Sequence, residues 1–210
     1  MKFASIASTV LLTGCSVFGV RTEQEPGYTV LARIGTVEIR QYALRIAAET
    51  SVQAGTMEAR SIGFRRLAGY IFGGNHGSVS IAMTAPVAQT SVASSGSQKI
   101  PMTAPVAQQG GQTGSTIRFY MPNTYTMESL PRPDDPAVRL LELPAETVAV
   151  LRFSGSTVPE AIADETSKLL QALKGSAWHP TGQPFAWFYD PPWTLPPLRR
   201  NEAAVAVSKP

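Results

Sequence analysis

The sequence predicts an α+β protein in which two similar halves join their strands into one curved sheet or barrel, with a helix on each flank. The order strand, strand, helix, strand, strand occurs twice along the 210 residues. Each half has one amphipathic helix and strands with one polar face, and neither half could bury both alone. Apolar residues make up 43% of the chain, which suits a packed core.

The first residues predict an export signal and a lipid anchor. A short apolar stretch ends in the letters LTGC, which resemble the bacterial lipobox, and it is too short to span a bilayer. Because Cys15 is the only cysteine, we expect residues 1–14 to be a lipoprotein signal peptide, Cys15 to be lipidated and 15–26 to form the tether. Ser16 predicts an outer-membrane location facing the periplasm. The alternative is a buried cysteine in an N-terminal strand.

The first half begins with strands and continues with a helix. Alternating polar and apolar residues predict strands in 28–35 and 36–52, around a turn at Gly35. A helix follows over 56–72, because apolar residues recur at helical spacing and glycines come after it. Its predicted apolar face consists of Phe64, Leu67, Ala68 and Ile71.

A repeated phrase follows the first helix. The letters MTAPVAQ occur at 83–89 and again at 102–108. Two equal strands of this kind could pair as a long hairpin. Residues 115–122 predict one more strand.

The second half repeats the order of the first. Residues 138–156 predict two strands around a tight turn at Pro144. A helix over 157–175 follows, with Thr157 as its N-cap and glycine past its end. The apolar stripe of this helix is Ile162, Leu169, Leu170 and Leu173, and the last two strands are 184–192 and 201–208.

The composition argues against several function classes. The net charge is only +3 and the basic residues are spread out, so we expect no nucleic-acid partner. Two histidines and one cysteine cannot build a zinc cluster or an intramolecular disulfide. The sequence also lacks a serine-nucleophile motif and a glycine-rich phosphate loop, so an enzyme is not the favoured interpretation.

Several motifs, in order, resemble the SOUL haem-binding protein family. They are GFRRLAGYIFGGN, the two MTAPV phrases and FYDPPWTLPPLRRNEAAV, within a match over about residues 26–208. The resemblance implies a single domain over 27–208. It implies a pseudo-two-fold, distorted antiparallel β-barrel flanked by two long helices, an architecture shared with gyrase-inhibitor-like proteins. It further implies tetrapyrrole binding in a shallow groove beside the first helix and near the loop before the last strand.

The resemblance also implies candidate contacts for haem. Apolar residues of the first helix would face the groove, arginines there would meet the propionates, Tyr189 would form a groove wall, and His76 would reach the groove edge. These arginines could equally be a solvated helix face, and a loop histidine is usually solvated. The metal ligand is left open. The candidate cofactor-binding residues are Arg60, Phe64, Arg65, Leu67, Ala68, Ile71, His76 and Tyr189.

We therefore expect non-covalent binding of haem or a related tetrapyrrole by a membrane-anchored periplasmic lipoprotein, for buffering, transport or sensing. The alternative is a small-molecule-binding module or hydrolase of gyrase-inhibitor-like type acting on another flat hydrophobic ligand. That hydrolase would need a buried glutamate whose pKa is raised by desolvation. Its candidates are Glu38, Glu49 and Glu142. A third interpretation is a structural envelope lipoprotein with a vestigial groove.

Overall fold

A computed structural model describes residues 23–92 and 114–210 of the chain. The expected signal peptide, Cys15 and the second MTAPVAQ phrase lie outside the described residues.

The described residues form ten strands, two helices and a short 3-10 turn. The first half contains β1 (Tyr28–Ile34), β2 (Val37–Tyr42), β3 (Arg45–Gln53), α1 (Thr56–Ile71), β4 (Val87–Val92) and β5 (Gly114–Tyr120). The second half contains β6 (Arg139–Leu143), β7 (Glu146–Phe153), α2 (Pro159–Leu173), β8 (His179–Pro180), β9 (Phe185–Phe188), the 3-10 turn (Pro196–Leu198) and β10 (Asn201–Ser208).

The strands form one curled antiparallel sheet, a half-barrel, so the α+β class is confirmed. The strand order is β1-β2-β7-β10-β9-β4-β5-β3-β6, and the short β8 pairs with β10. Among the described strands, β1 and β6 each have one partner, so the sheet is open at both edges rather than closed into a barrel. Both helices pack on one face, which we call the helix face, and the opposite face is the concave face.

The turn at Pro144 does not close a hairpin, and the first MTAPVAQ phrase has other partners than the possible long hairpin, whose second strand lies outside the described residues. The strands on either side of Pro144 do not pair with each other; instead β6 pairs with β3, and β7 pairs with β2 and β10. The first MTAPVAQ phrase contributes only its last residues to β4, which lies between β5 and β9. Both sides of Val87–Gln89 are therefore occupied, and this phrase cannot pair there with its second copy.

The strand order has a regularity that the two halves share. The order from β2 to the far edge is β2-β7-β10-β9-β4-β5-β3-β6. If β2 is exchanged with β6, β3 with β7, β4 with β9 and β5 with β10, the result is the same order in the opposite direction. Because β2 pairs with β7 and β3 with β6, each half completes the sheet of the other.

The core is divided among three apolar clusters. One lies between α1 and the sheet and a second lies between α2 and the sheet. The third fills the concave face, where it is rich in aromatic rings: Tyr42, Tyr120, Trp187 and Tyr189. The curled sheet thus has an aromatic interior between two helix-covered outer cores.

The helix lengths and apolar contents bear on membrane insertion. In the two described stretches of chain, no helix combines the length and apolar character needed to cross a bilayer.

Candidate ligand-binding surfaces

The predicted apolar face of α1 divides between core and surface. Leu67 and Ile71 are 0% and 1% exposed and belong to the core under α1, so in this structure they support the helix from beneath. Ala68 is half-buried against the same core. Phe64 is 39% exposed and meets the Phe119 ring edge-on, with centroids 5.3 Å apart. Of these four residues, Phe64 is the one that offers a large apolar surface.

Arg60 is not part of a solvated helix face. Its guanidinium lies 3.9 Å from the centre of the Phe188 ring. Its Nε donates to the side-chain oxygen of Gln89 at 2.7 Å, and its Nη2 donates to the backbone oxygen of Thr157 at 3.2 Å. Burial lowers the pKa of Arg60 to about 10. Arg60 therefore connects α1 to β4, β9 and the segment before α2.

Arg65 is the exposed cation beside Phe64. It makes no hydrogen bond or ion pair with the described residues, whereas Arg66 lies at the other side of the helix, 3.4 Å from the hydroxyl of Thr50. Arg65 is thus available to an anionic group near Phe64.

An exposed apolar surface lies where α1, the segment before α2 and the loop before β10 meet. Arg60 joins α1 to Thr157, and the backbone nitrogen of Gly155 donates to the oxygen of Pro196 at 2.8 Å. The elements that these bonds connect carry five exposed apolar side chains, which we call the interhelix surface. They are Phe64, Val158, Trp193, Leu195 and Leu198, between 39% and 60% exposed.

The loop before β10 holds its shape through backbone contacts of an arginine. Arg199 donates to the backbone oxygens of Thr194 at 2.8 Å and of Pro192 at 2.7 Å. Trp193, between them, is 60% exposed, whereas Trp187 packs in the core at 1% exposure. The two proline pairs of this loop, at 191–192 and 196–197, were the available signal in the sequence, because prolines favour an extended, rigid segment over a strand.

His76 lies at a separate groove. It follows the C-terminal end of α1, and its side chain is 67% exposed, with Nε2 at 3.6 Å from a carboxylate oxygen of Asp134. The groove has a volume of about 640 Å³ and runs over the loop before β6 and over β6 itself. Its lining includes Met127, Leu130, Val138 and Leu140 together with Arg132 and Arg139. The structure therefore separates His76 from the interhelix surface.

Tyr189 points into the concave face rather than toward α1. Its hydroxyl donates to Glu202 at 2.8 Å, and burial beside that carboxylate raises the pKa of Tyr189. Glu202 is 0% exposed and accepts from two arginines as well, Arg40 at 2.9 Å and Arg200 at 2.9 Å. Sequence analysis missed Glu202, because a single glutamate in an apolar strand gives no sign of its partners.

Glu49 does not meet the requirement of a hydrolytic glutamate. It is 1% exposed on the concave face and pairs with Arg118 and with Arg139, whose Nε lies at 2.9 Å. Burial alone would raise the pKa of Glu49, but the hydrogen bonds and charges of the two arginines outweigh it and hold this pKa below its ordinary value. The expected upward shift is therefore wrong for Glu49. Glu142 is exposed, and Glu38 pairs with Arg33 and Arg40.

A narrow crevice remains at the centre of the concave face. It is lined by Tyr42, Tyr120, Trp187 and Tyr189, by Arg45 and Pro86, and by Glu25, Pro26 and Tyr28 from the N-terminal side. The space between these side chains is too narrow to hold a water molecule. The deep open pocket of the alternative hypothesis is thus filled by the chain's own aromatic rings.

Within residues 23–92 and 114–210, no group of three or more acidic, histidine or cysteine side chains lies close enough together to hold a metal ion.

Comparisons with known proteins agree with this fold. The family model described as SOUL heme-binding protein matches residues 23–206. A search of curated proteins found no sequence match. The crystal structure of the EcmrR C-terminal domain superposes with a TM-score of 0.60 at 10% identity, covering 87% of this chain and 99% of that one.

Two structures from Listeria innocua are also similar. An uncharacterised conserved protein has a TM-score of 0.60 at 10% identity, with 82% of this chain and 92% of that chain covered. A hydrolase has a TM-score of 0.56 at 10% identity, with 85% and 94% covered. At such low identity these similarities establish the shared fold alone.

Proposed function

The chain belongs to the SOUL heme-binding protein family, and we propose that it binds haem or a related tetrapyrrole non-covalently on the interhelix surface. The observation that carries this proposal is the grouping of exposed apolar side chains from α1 and the loop before β10. Large apolar groups brought together at a surface generally mark a binding site. The proposed role is to buffer, carry or sense the ligand.

The residues of this surface fit a flat apolar macrocycle with carboxylate arms. Phe64 packs on Phe119 of β5, and Arg60 packs on Phe188 of β9, two strands away. Two strand spacings are about 10 Å, so the floor between these rings is broad enough for a planar ligand. Phe64 and Trp193 would cover its faces, and the free guanidinium of Arg65 would pair with a carboxylate.

The described residues at this surface include no histidine, so we expect binding without an imidazole ligand. Burial of roughly 300 Å² of apolar ligand surface contributes about 7 kcal/mol before the costs of association. Taken alone, that energy corresponds to a micromolar affinity, and the costs of association only weaken it, so we expect weaker binding than that of a doubly ligated haem.

A hemin titration of the purified domain, followed by its visible absorption, tests the proposal. Phe64→Ala and Trp193→Ala should each weaken binding about tenfold, because each removes roughly 1.4 kcal/mol of apolar contact. Phe72→Ala is the matched control, since Phe72 is 67% exposed and lies outside the interhelix surface. Absence of a saturable change at micromolar hemin, or equal losses in all three variants, would contradict the proposal.

We further propose that lipidated Cys15 anchors the domain to the outer membrane, facing the periplasm. The support is the LTGC stretch, and Ser16 after it. Cys15→Ala should abolish incorporation of labelled palmitate and release the protein from the membrane fraction. Retention of the label in Cys15→Ala would exclude this site of lipidation. The absence of a nucleic-acid partner stays a prediction.

We also propose two finer features of the architecture. The first is a pseudo-two-fold axis between the halves, which the reversible strand order supports. The second is that the helices flank the sheet as long rods; α1 and α2 have 16 and 15 residues.

A further inference from the structure

Arg45 at the concave crevice has two nitrogens without a hydrogen-bond acceptor. It is 8% exposed, and its Nη2 pairs with Glu146, while its Nε and Nη1 have no partner among the described residues. The guanidinium lies 4.3 Å from the centre of the Tyr42 ring and 4.9 Å from that of Tyr120. Buried charged donors without acceptors are costly and uncommon. Beyond the carboxylate of Glu146, the guanidinium could therefore donate to a further anionic or polar oxygen.

The N-terminal strap, residues 23–27, closes this crevice. Gln24 forms a backbone bridge to the chain before β4, with Ala85 N donating to Gln24 O at 3.0 Å. Glu25 pairs with Arg200 at 2.8 Å and is 31% exposed in its side chain. The strap also contributes lining to the crevice through Glu25 and Pro26. Gln24 Nε2 also donates to Oδ1 of Asn123 at 3.0 Å, in an exposed position. Because that bond is exposed and the Glu25–Arg200 pair is only partly buried, these contacts can open and release the strap.

We propose that the crevice is a latent binding site for small carboxylates with a flat apolar body, and that the strap gates it. The closed crevice does not admit a ligand, so the site would form when Glu25 and Pro26 of the strap move away. The carboxylate would then accept from Arg45, and the body would lie among Tyr28, Tyr42 and Tyr120. A cationic ligand is disfavoured, because Arg45 lies at the crevice and Glu202 is already satisfied by Arg40 and Arg200. This site is on the opposite face of the sheet from the interhelix surface and goes beyond the proposed tetrapyrrole binding.

The experiment uses benzoate as the probe, with benzamide and benzylamine as neutral and cationic analogues, and calorimetry on the full domain. Wild type should bind benzoate in preference to both analogues. Glu25→Gln should tighten benzoate binding about fivefold, because it weakens the ion pair that holds the strap. Glu142→Gln, an exposed glutamate on β6, is the matched control and should leave the affinity unchanged.

Arg45→Lys keeps the charge and should weaken benzoate binding at least tenfold in both the wild-type and Glu25→Gln backgrounds. A circular dichroism spectrum and melting curve check that each variant folds. If Arg45→Lys does not fold, the comparison of benzoate affinity between wild type and Glu25→Gln tests the proposal by itself.

Three results would overturn the proposal: an unchanged affinity in Glu25→Gln, wild-type affinity in a folded Arg45→Lys, or benzylamine binding better than benzoate. No binding of benzoate by either wild type or Glu25→Gln would overturn it as well. Saturating hemin should leave the benzoate affinity unchanged. Failure of hemin binding therefore does not affect this test.

Discussion

Glu202 and Glu49 each form hydrogen bonds and ion pairs with two arginines on the concave face. Glu202 has Arg40 and Arg200, and Glu49 has Arg118 and Arg139. For Glu49, whose pKa the two arginines hold below its ordinary value, this pairing keeps the carboxylate ionised and makes it a poor general acid. Both glutamates link strands of the sheet through their arginines.

Glu202→Gln should lower the free energy of unfolding by about 3 kcal/mol, because removal of the charge leaves buried Arg40 with Glu38 alone as its anion, and Glu38 is shared with Arg33. Arg40 and Glu202 are 3% and 0% exposed, so solvent cannot compensate. Urea unfolding followed by circular dichroism measures the change. Glu142→Gln, exposed and on β6, should change stability by less than about 0.5 kcal/mol. Equal effects of the two substitutions would contradict the conclusion that Glu202 stabilises the fold through its buried arginine and tyrosine partners.

Glu49 predicts an acid-dependent contribution to stability. The pKa of Glu49 lies below its ordinary value of 4.5 in the folded state, so its contribution is fully present above pH 4.5 and is lost as the pH falls through the folded pKa. The difference in unfolding free energy between wild type and Glu49→Gln should therefore shrink as the pH falls from 6 toward 3. A difference that stays constant or grows over this range would show that the arginines do not lower this pKa.

At the scale of elements, α1 shows what its sequence could and could not predict. Its bounds and its core residues Leu67 and Ile71 follow from helical periodicity. The point of its closest approach to the sheet does not follow from the periodicity, because a glycine at position 63 indicates only a weaker helix. A Cβ on Gly63 would lie 2.8 Å from Cγ1 of Ile117 on β5, so the glycine allows the helix to seat there.

Gly63→Ala should destabilise the protein by about 1–2 kcal/mol, because overpacking against Ile117 exceeds the roughly 1 kcal/mol gained in helix propensity. Gly69→Ala on the same helix is the matched control. Nothing lies within 4 Å of a Cβ there, so this substitution should stabilise by up to about 1 kcal/mol. Chemical denaturation of both variants measures the pair. A stabilising Gly63→Ala would mean that α1 is not seated on β5 as described.

Strand pairing marks the limit of what local patterns predict. The alternation on either side of Pro144 correctly placed β6 and β7, and the order of the elements correctly predicted a curved sheet. The partners of these strands are distant in sequence, as are the pairs of Arg60 with Thr157 and of Glu202 with Arg40. Composition and spacing contain no signal for such contacts, so the interhelix surface and the concave crevice needed the structure.

At the scale of the whole molecule, the exchange of strand partners makes the two halves interdependent. The β2·β7 and β3·β6 pairs each join one strand from each half, and β4·β9 joins the halves through the centre of the sheet. Loss of either half would expose the edges of the other and open the aromatic interior. The fold should therefore unfold as one cooperative unit.

The double variant Gly63→Ala with Glu202→Gln tests this cooperativity, since one change lies under α1 and the other on β10. The two sites are separated by three strand spacings, about 14 Å, so their effects on the unfolding free energy should add within about 0.5 kcal/mol. Each single change should shift the same transition whether it is followed by tryptophan fluorescence or by far-ultraviolet circular dichroism. Separate transitions, with Gly63→Ala affecting one and Glu202→Gln the other, would show two independently folding halves, which the interleaved strand order does not allow.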